Sequence, residues 1–347
     1  MKPIARAIDV GYGNTKFTLN DGCNGSGDIE CMMFPSVAPV CPKGEMGDFM
    51  SKRDVALVSV NGQWYEVGPD AMMAMPSNAS RALDTDFVRR DYYMALMLGA
   101  MHYMNVDRID HLVVGLPVSN IDKTMITFVR DLLLGDHQLP NRTLHVGDVK
   151  VVPQPVGGMY DFGVRHQMMK ELQAGINLLI DPGYFTLDWV VTTGTKMVEV
   201  RSGAANNAGM AAILHAIKDT MTLKIKERDG KSEEITEGIL NSIDSSLRNE
   251  TPFRFNGKVE RLDRYMEGAD TVIRNALDKL RYKVGTLGDI ERVVIVGGAS
   301  HLYQKAVCEL FANHDVHVAK QAVFANVRGF QLMANSAAAA SLKIATV

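Results

Sequence analysis

Apolar residues follow two rhythms along this chain of 347 residues. Short apolar runs bounded by turn residues read as strands: Ala5–Ile8, Val55–Val60, Gln63–Val67, His111–Pro117, Thr143–Val152, Val198–Val200, Arg292–Val296 and Val316–Val318. Leu178–Val191 reads as a hairpin, and so do residues 1–20. Longer stretches repeat their apolar residues every third or fourth position and read as helices. These are Thr85–Met104, with Phe87, Tyr92, Leu96 and Met97 on one face and Asp84 or Thr85 as cap, then Asp122–Leu134, and a helix from Gly158 to Leu172. Another follows the small-residue turn Gly203–Gly209 and runs to about Lys218. Residues 220–290 are helical and charged, broken at Asp229-Gly230 and Asn256-Gly257. A helix then runs to about Ala312, and an alanine-rich one spans Phe330–Leu342. Strands alternating with helices predict an α/β protein. Pro35 makes Met32–Val37 an edge strand, because proline donates nothing to a ladder. Asn61-Gly62 predicts a tight hairpin turn between two strands.

Two of the bends share one pattern. In Asn177–Trp189 an apolar run ends in Asp181, Pro182 and Gly183 turn the chain, and Thr186 precedes the next apolar run. At the N-terminus Asp9, Val10, Gly11, Tyr12, Gly13, Asn14, Thr15 and Lys16 follow Ala5–Ile8 in the same order. Most turns of this kind are only turns. A pair, one opening each half of the chain, predicts two similar lobes. Such a turn offers backbone N–H groups to phosphate oxygens. Its aspartate suits Mg²⁺ held through coordinated water.

Length and composition narrow the picture. The chain is long enough for two domains. With 46% hydrophobic and 22% charged residues it reads as globular. A net charge of −3 gives no basic footprint for direct nucleic-acid contact. No apolar run reaches the ~18 residues of a membrane span, and the N-terminus lacks a signal-peptide core, which predicts a cytoplasmic protein. Cys23, Cys31, Cys41 and Cys308 lack zinc spacing and read as free thiols. The 21 methionines read as core and interface filling.

The paired bends resemble the two phosphate loops of the superfamily that holds actin, the heat-shock chaperone ATPases and the sugar kinases. The resemblance continues in family order at Val152-Pro-Gln-Pro-Val-Gly-Gly158 and Asn326-Val-Arg-Gly-Phe330, similar to the two connecting segments, and at Val294-Ile-Val-Gly-Gly-Ala-Ser300, similar to the adenosine segment. Trp64-Tyr-Glu-Val-Gly68 and Pro153–Gly157 followed by Tyr160-Asp-Phe resemble the bacterial plasmid-partition actins, the ParM/StbA group, in particular. This implies a two-lobed actin-like ATPase fold of duplicated ribonuclease-H-like domains around a central nucleotide cleft. Residues 1–157 plus 326–347 would form domain I and residues 158–325 domain II. The helix after Gly157 and Gly158 and the helix after Gly329 would cross as a hinge.

The same resemblance implies ATP or ADP as ligand with Mg²⁺. Asp9 and Asp181 would hold the water shell of Mg²⁺. Gly11, Tyr12, Gly13 and Asn14 would offer N–H groups to the phosphates, and Lys16 a point charge. Gly183, Tyr184 and Thr186 would do so from the other lobe, and Gly297, Gly298 and Ala299 would leave room for the adenosine. Gln154 would orient the attacking water or, alternatively, only shape the segment between its prolines. Some relatives carry glutamate there; a glutamine is a weaker base but both accepts and donates. Lys224 and Glu227 fall where the family often brings a helix to the ribose; a solvated helix face is the other reading. Arg81, Arg89 and Arg90 are solvated charges or filament and partner contacts.

The implied function is a filament-forming ATPase that segregates plasmid DNA. Its partners would be copies of itself and a DNA-binding adaptor protein, with no direct nucleic-acid or membrane contact. Two other readings stay open. A small-molecule kinase needs a substrate carboxylate, for which Asp188 is the candidate. A nucleotide-gated binding protein like a chaperone ATPase domain would continue into a peptide-binding region.

Overall fold

The structure is a computed structural model that describes residues 2–22, 28–41, 53–76, 86–230 and 233–345. In chain order the first elements are β1 (Ala5–Val10), β2 (Asn14–Thr18), β3 (Cys31–Pro35), β4 (Val40–Cys41), β5 (Ala56–Val60) and β6 (Gln63–Val67). Then come α1 (Asp91–Tyr103), β7 (Arg108–Ile109), β8 (His111–Leu116) and α2 (Lys123–Leu133). β9 (Gly135–Gln138), β10 (Thr143–Val146), β11 (Val149–Pro153), α3 (Gln154–Arg165) and α4 (Met169–Ala174) follow. The next stretch holds β12 (Ile176–Pro182), β13 (Thr186–Thr193), β14 (Lys196–Met197), β15 (Gly203–Asn206), α5 (Met210–Asp229) and α6 (Glu237–Asn249). β16 (Phe253–Phe255), β17 (Lys258–Glu260), α7 (Glu267–Val284), β18 (Arg292–Ile295), α8 (Ser300–Leu310), β19 (Asp315–Val318) and α9 (Ala325–Ala345) complete the chain.

Two compact units emerge. The first gathers Met1–Met75, Arg81–Ala174 and Ala319–Val347, and the second is chiefly Gly175–Val318. The main sheet of the first unit has the order β11-β8-β1-β2-β3. β1 runs antiparallel to β2 and parallel to β8. The sheet of the second unit repeats this plan, with β19-β18-β12-β13-β14 in order, β12 antiparallel to β13 and parallel to β18. β15 also pairs with β13. The central strands are apolar on both faces, as strands covered on both sides must be. Ala7 and Ile8 in β1 and Leu178, Leu179 and Ile180 in β12 are all at 0% exposure. In the first unit Ala5, Ala7, Val113 and Val152 pack against Val327 and Phe330 of α9. In the second, Ile180, Leu187 and Ile295 share a core with α5 and α7.

Helix α3 begins at Gln154, four residues ahead of the expected start at Gly158. Pro155 falls in its first turn, where a missing N–H costs nothing because that donor has no intrahelical partner. The helix stops at Arg165 and does not continue to Leu172; Gln167 takes φ 57°, and the separate α4 follows. Helix α3 lies in the first unit, packed on α9, whereas the sequence placed residue 158 at the start of the second domain. The close approach is made by glycines. A Cβ on Gly329 would stand 1.7 Å from the Gly157 carbonyl oxygen, and one on Gly157 would stand 2.3 Å from that of Asn326.

Other elements shift too. α1 starts at Asp91 after a 3-10 turn at Phe87–Arg89, and the expected caps Asp84 and Thr85, like Arg81, lie outside the described residues. α2 is capped by Asp122, whose carboxylate accepts the Met125 N–H at 2.8 Å. Val198–Val200 is not a strand: Glu199–Arg201 is a 3-10 turn. Gly203–Asn206, read as part of a turn, is strand β15, and α5 runs past Lys218 to Asp229. Asn256-Gly257 is not a helix break but a hairpin turn between β16 and β17, with φ 48° and 76°. It repeats Asn61-Gly62, where φ is 50° and 80°. β3 lies at the sheet edge, as its proline requires. Cys31, Cys41 and Cys308 are free; Cys23 lies outside the described residues.

Candidate functional site: two aspartate turns

In the first unit Asp9 sits one residue before the end of β1, at 1% exposure. A buried carboxylate must be paired, and this one is. Lys16 Nζ donates to Oδ2 at 2.9 Å, and Gln154 Nε2 donates to Oδ1 at 2.7 Å. The turn closes through the Gly11 N–H, which donates to the Asn14 carbonyl at 3.2 Å. Ser36 N–H ties the Gly13 carbonyl to the end of β3 at 3.0 Å. Tyr12 folds inward at 7% exposure and stacks on Phe87, ring centroids 4.5 Å apart. Behind Phe87 lies Tyr93, in edge-on contact at 5.2 Å. The Tyr93 hydroxyl is pushed well above the usual phenol range by burial and then by the charge of Asp9. Asp9, the Gly11–Asn14 turn, Lys16 and Gln154 thus form one cluster.

The second unit builds the same turn from different side chains. Asp181 is 6% exposed, and the Gly183 N–H donates to the Thr186 carbonyl at 2.9 Å. The Gly183 and Tyr184 carbonyls accept the N–H groups of Met210 and Ala211 at 3.0 and 2.8 Å, so this loop caps α5 in place of a side chain. Gly209 permits the contact, since a Cβ there would stand 2.5 Å from the Tyr184 carbonyl. The Ala299 N–H donates to the Pro182 carbonyl at 3.0 Å. Gly297 has φ +85°, and its missing Cβ would fall 2.1 Å from Asp181 Oδ1. Asp181, Gly183, Tyr184, Thr186 and the Gly297–Ala299 segment therefore converge. In register with Asp181 stands Asp188, 3% exposed, whose carboxylate accepts the Thr186 hydroxyl. A cavity of about 410 Å³ lies between α5 and α7, lined by Lys224 and Glu227 with Thr220, Glu267, Gly268 and Thr271.

Among the described residues no group of three or more His, Cys, Asp or Glu side chains could hold a metal ion. A divalent ion at either turn therefore fits only as part of a complex that brings its own ligands, such as phosphates and water.

Asp188, which the sequence offered only as a substrate carboxylate, follows Asp181 at the interval by which Lys16 follows Asp9, so aligning the hairpins places it opposite Asp181. What escaped the sequence is a buried ion pair between α3 and α9. Arg328 and Asp161 side chains are each 2% exposed, and the guanidinium bonds both carboxylate oxygens, at 2.9 and 2.6 Å. Arg328 also donates to the Lys320 carbonyl at 2.7 Å, and Arg165 adds a bond to Asp161 at 2.8 Å. The signal was one charged residue inside each of two otherwise small or apolar segments.

The paired sheets with an aspartate turn on each central strand are those of an actin-like fold. Residues 7–157 match the family model of the actin like proteins N terminal domain. The match covers residues 7–157, and the chain has an actin-like fold. It is similar to the archaeal actin homologue Ta0583 in complex with ADP, at 19% identity over 96% of this chain and 99% of that one, with a TM-score of 0.71. It is similar to a ParM in a 15-stranded filament from Clostridium botulinum, at 18% identity over 97% of this chain and 100% of that one, with a TM-score of 0.71. The apo pSK41 ParM protein matches at 18% identity over 97% of this chain and 98% of that one, with a TM-score of 0.67. No curated protein matches in sequence. Among the described residues no helix is long and apolar enough to cross a membrane.

Proposed function

We propose that this chain is a filament-forming ATPase, hydrolysing ATP with Mg²⁺ and segregating plasmid DNA through an adaptor protein. The observation that carries this reading is the repeated turn: a buried aspartate, a glycine two residues on, and an N–H closing on the carbonyl three residues later, on the central strand of each unit. Phosphoryl transfer asks for charge neutralisation and a positioned water and little covalent chemistry. Bound Mg²⁺ supplies neutralisation. The Gly11–Asn14 and Gly183–Thr186 turns hold phosphate oxygens, and Lys16 adds a positive charge. Gln154 donates its amide N–H to Asp9, which leaves its carbonyl oxygen to accept from a water. The cavity beside Lys224 and Glu227 takes the nucleoside. The ADP complex of the archaeal homologue and the ParM filament support nucleotide binding and self-assembly. A net charge of −3 supports reaching DNA through another protein. Asp188, the carboxylate a kinase reading needs, is buried on Thr186, which favours a structural role.

The test is sedimentation with ATP, with ADP and without nucleotide, alongside phosphate release. The expected result is nucleotide-dependent pelleting with slow hydrolysis that Gln154→Ala slows further. A protein that stays monomeric in all three conditions overturns the filament. Unchanged hydrolysis in Gln154→Ala removes that residue from the mechanism.

A further inference from the structure

Gln154 stands at the first position of α3, and Asp9 is carried by β1. Helix α9 touches both elements. Its Val327 and Phe330 pack on Ala5 and Ala7 of β1, and α3 packs on the same helix. The stem of Gln154 is confined sideways: a Cβ on Gly115 would stand 2.9 Å from Gln154 Cγ and 2.5 Å from the Phe330 ring. The bond from Gln154 to Asp9 is therefore only as well placed as α3 is on α9.

The contacts between these helices differ in what they fix. The Gly157–Gly329 approach sets how near the backbones come, but glycines carry no side chain to interlock, so it leaves the helices free to slide. The Asn326 side-chain oxygen accepts the Gly158 N–H at 3.2 Å, a single bond that tolerates a tilt. Asp161 lies about two turns further along α3. Both of its carboxylate oxygens accept from the Arg328 guanidinium, and two bonds from one planar group fix distance, direction and plane together. Arg328 is itself anchored. It donates to the Lys320 carbonyl at 2.7 Å and to that of Gln321 at 3.4 Å, and Gln321 is held at a left-handed φ of 47°. Burying such a pair adds little stability, because desolvation offsets the attraction; its best-attested use is to fix register.

We propose that Arg328 and Asp161 are positioning residues for ATP hydrolysis. Their pair sets the register of α3 on α9 and so holds the Gln154 carboxamide where it bonds Asp9 and meets the attacking water. The inference rests on the reading of Gln154 as the residue that orients that water. In this role Arg328 acts only through α3.

The test is a double-mutant cycle on the full chain. Phosphate release is followed over a range of Mg-ATP concentrations, with pelleting measured alongside and circular dichroism to check folding. Arg328→Lys keeps the charge and loses the fork. It is expected to lower kcat roughly tenfold and to leave KM within about twofold, because a group is displaced while nucleotide binding is untouched. In R328K/Q154A the loss is expected to equal that of Gln154→Ala alone, since an absent carboxamide cannot be misplaced. R328M/D161L keeps the test alive if Arg328→Lys fails to fold. It removes both charges together and is expected to hold the urea midpoint yet lose kcat roughly tenfold. Unchanged kcat in either folded variant, a KM that rises as much as kcat falls, a loss of kcat that follows a loss of pelleting, or multiplied losses in R328K/Q154A overturns the proposal. A chain that releases no phosphate, or an unchanged rate in Gln154→Ala, overturns the reading of Gln154 and this proposal with it, and both are seen before Arg328 is altered.

Discussion

The two aspartate turns are built on the same strand plan and closed by the same bond, yet they face their aspartates with opposite charges. Opposite Asp9 in register stands Lys16, and opposite Asp181 stands Asp188. The first carboxylate is neutralised within the unit by an ammonium and an amide. The second lies beside another buried carboxylate. Like charges opposed on neighbouring strands repel, and a cation relieves them. A shared backbone motif therefore does not mean a shared task. We read the first turn as the one that reaches phosphate and water through Lys16 and Gln154, and the second as the one that draws the ion.

Six substitutions sharpen or break this contrast. Asp181→Asn is expected to slow phosphate release by ~100-fold and to raise the Mg²⁺ concentration for half-maximal rate. Asp9→Asn should slow release comparably while moving the Mg²⁺ requirement less. Equal shifts in Mg²⁺ dependence would erase the distinction. Next comes Gly297→Ala, which forces a left-handed residue and pushes a methyl into Asp181; a loss of about 3 kcal/mol in urea unfolding is expected. Gly11→Ala meets the Asn14 carbonyl at 3.3 Å and should cost under ~1 kcal/mol, so equal losses would show the turns to be equally tight.

Lys16→Met leaves Asp9 with Gln154 alone. Roughly 2 kcal/mol of stability should go, because a buried charge then lacks its counter-charge. A neutral outcome would mean that the ammonium contributes nothing to the resting fold. The smallest effect is expected from Asp188→Asn, which relieves the repulsion. It should stabilise the Mg²⁺-free protein by about 0.5 kcal/mol, read as a small rise in the urea midpoint. Destabilisation would show that the two carboxylates do not repel in the fold.

Much of the second aspartate turn was legible because its information is local. Leu178–Ile180, the Asp181-Pro182-Gly183 bend and the apolar run after Thr186 specify a hairpin without outside help. The same holds for Asn61-Gly62. The misreadings arose where local signals compete. Gly203–Asn206 is made of small turn-prone residues, and only the exposed edge of β13 makes it a strand. Asn256-Gly257 sits among charges that read as helical, yet two three-residue strands form around it. The proline at 155 suggested a segment before a helix, whereas it is the helix's first turn.

By itself, the order of residues determined the alternation of strands and helices, the twin aspartate bends and the glycines that flank them. Those follow from periodicity and from which residues tolerate a tight turn, and both act over a few neighbours. Tertiary structure alone decided which charges meet. Asp161 reaches Arg328 across 167 positions, and Gln154 reaches Asp9 across 145. Such pairings depend on packing that brings distant segments into hydrogen-bonding range, and no local pattern encodes that distance.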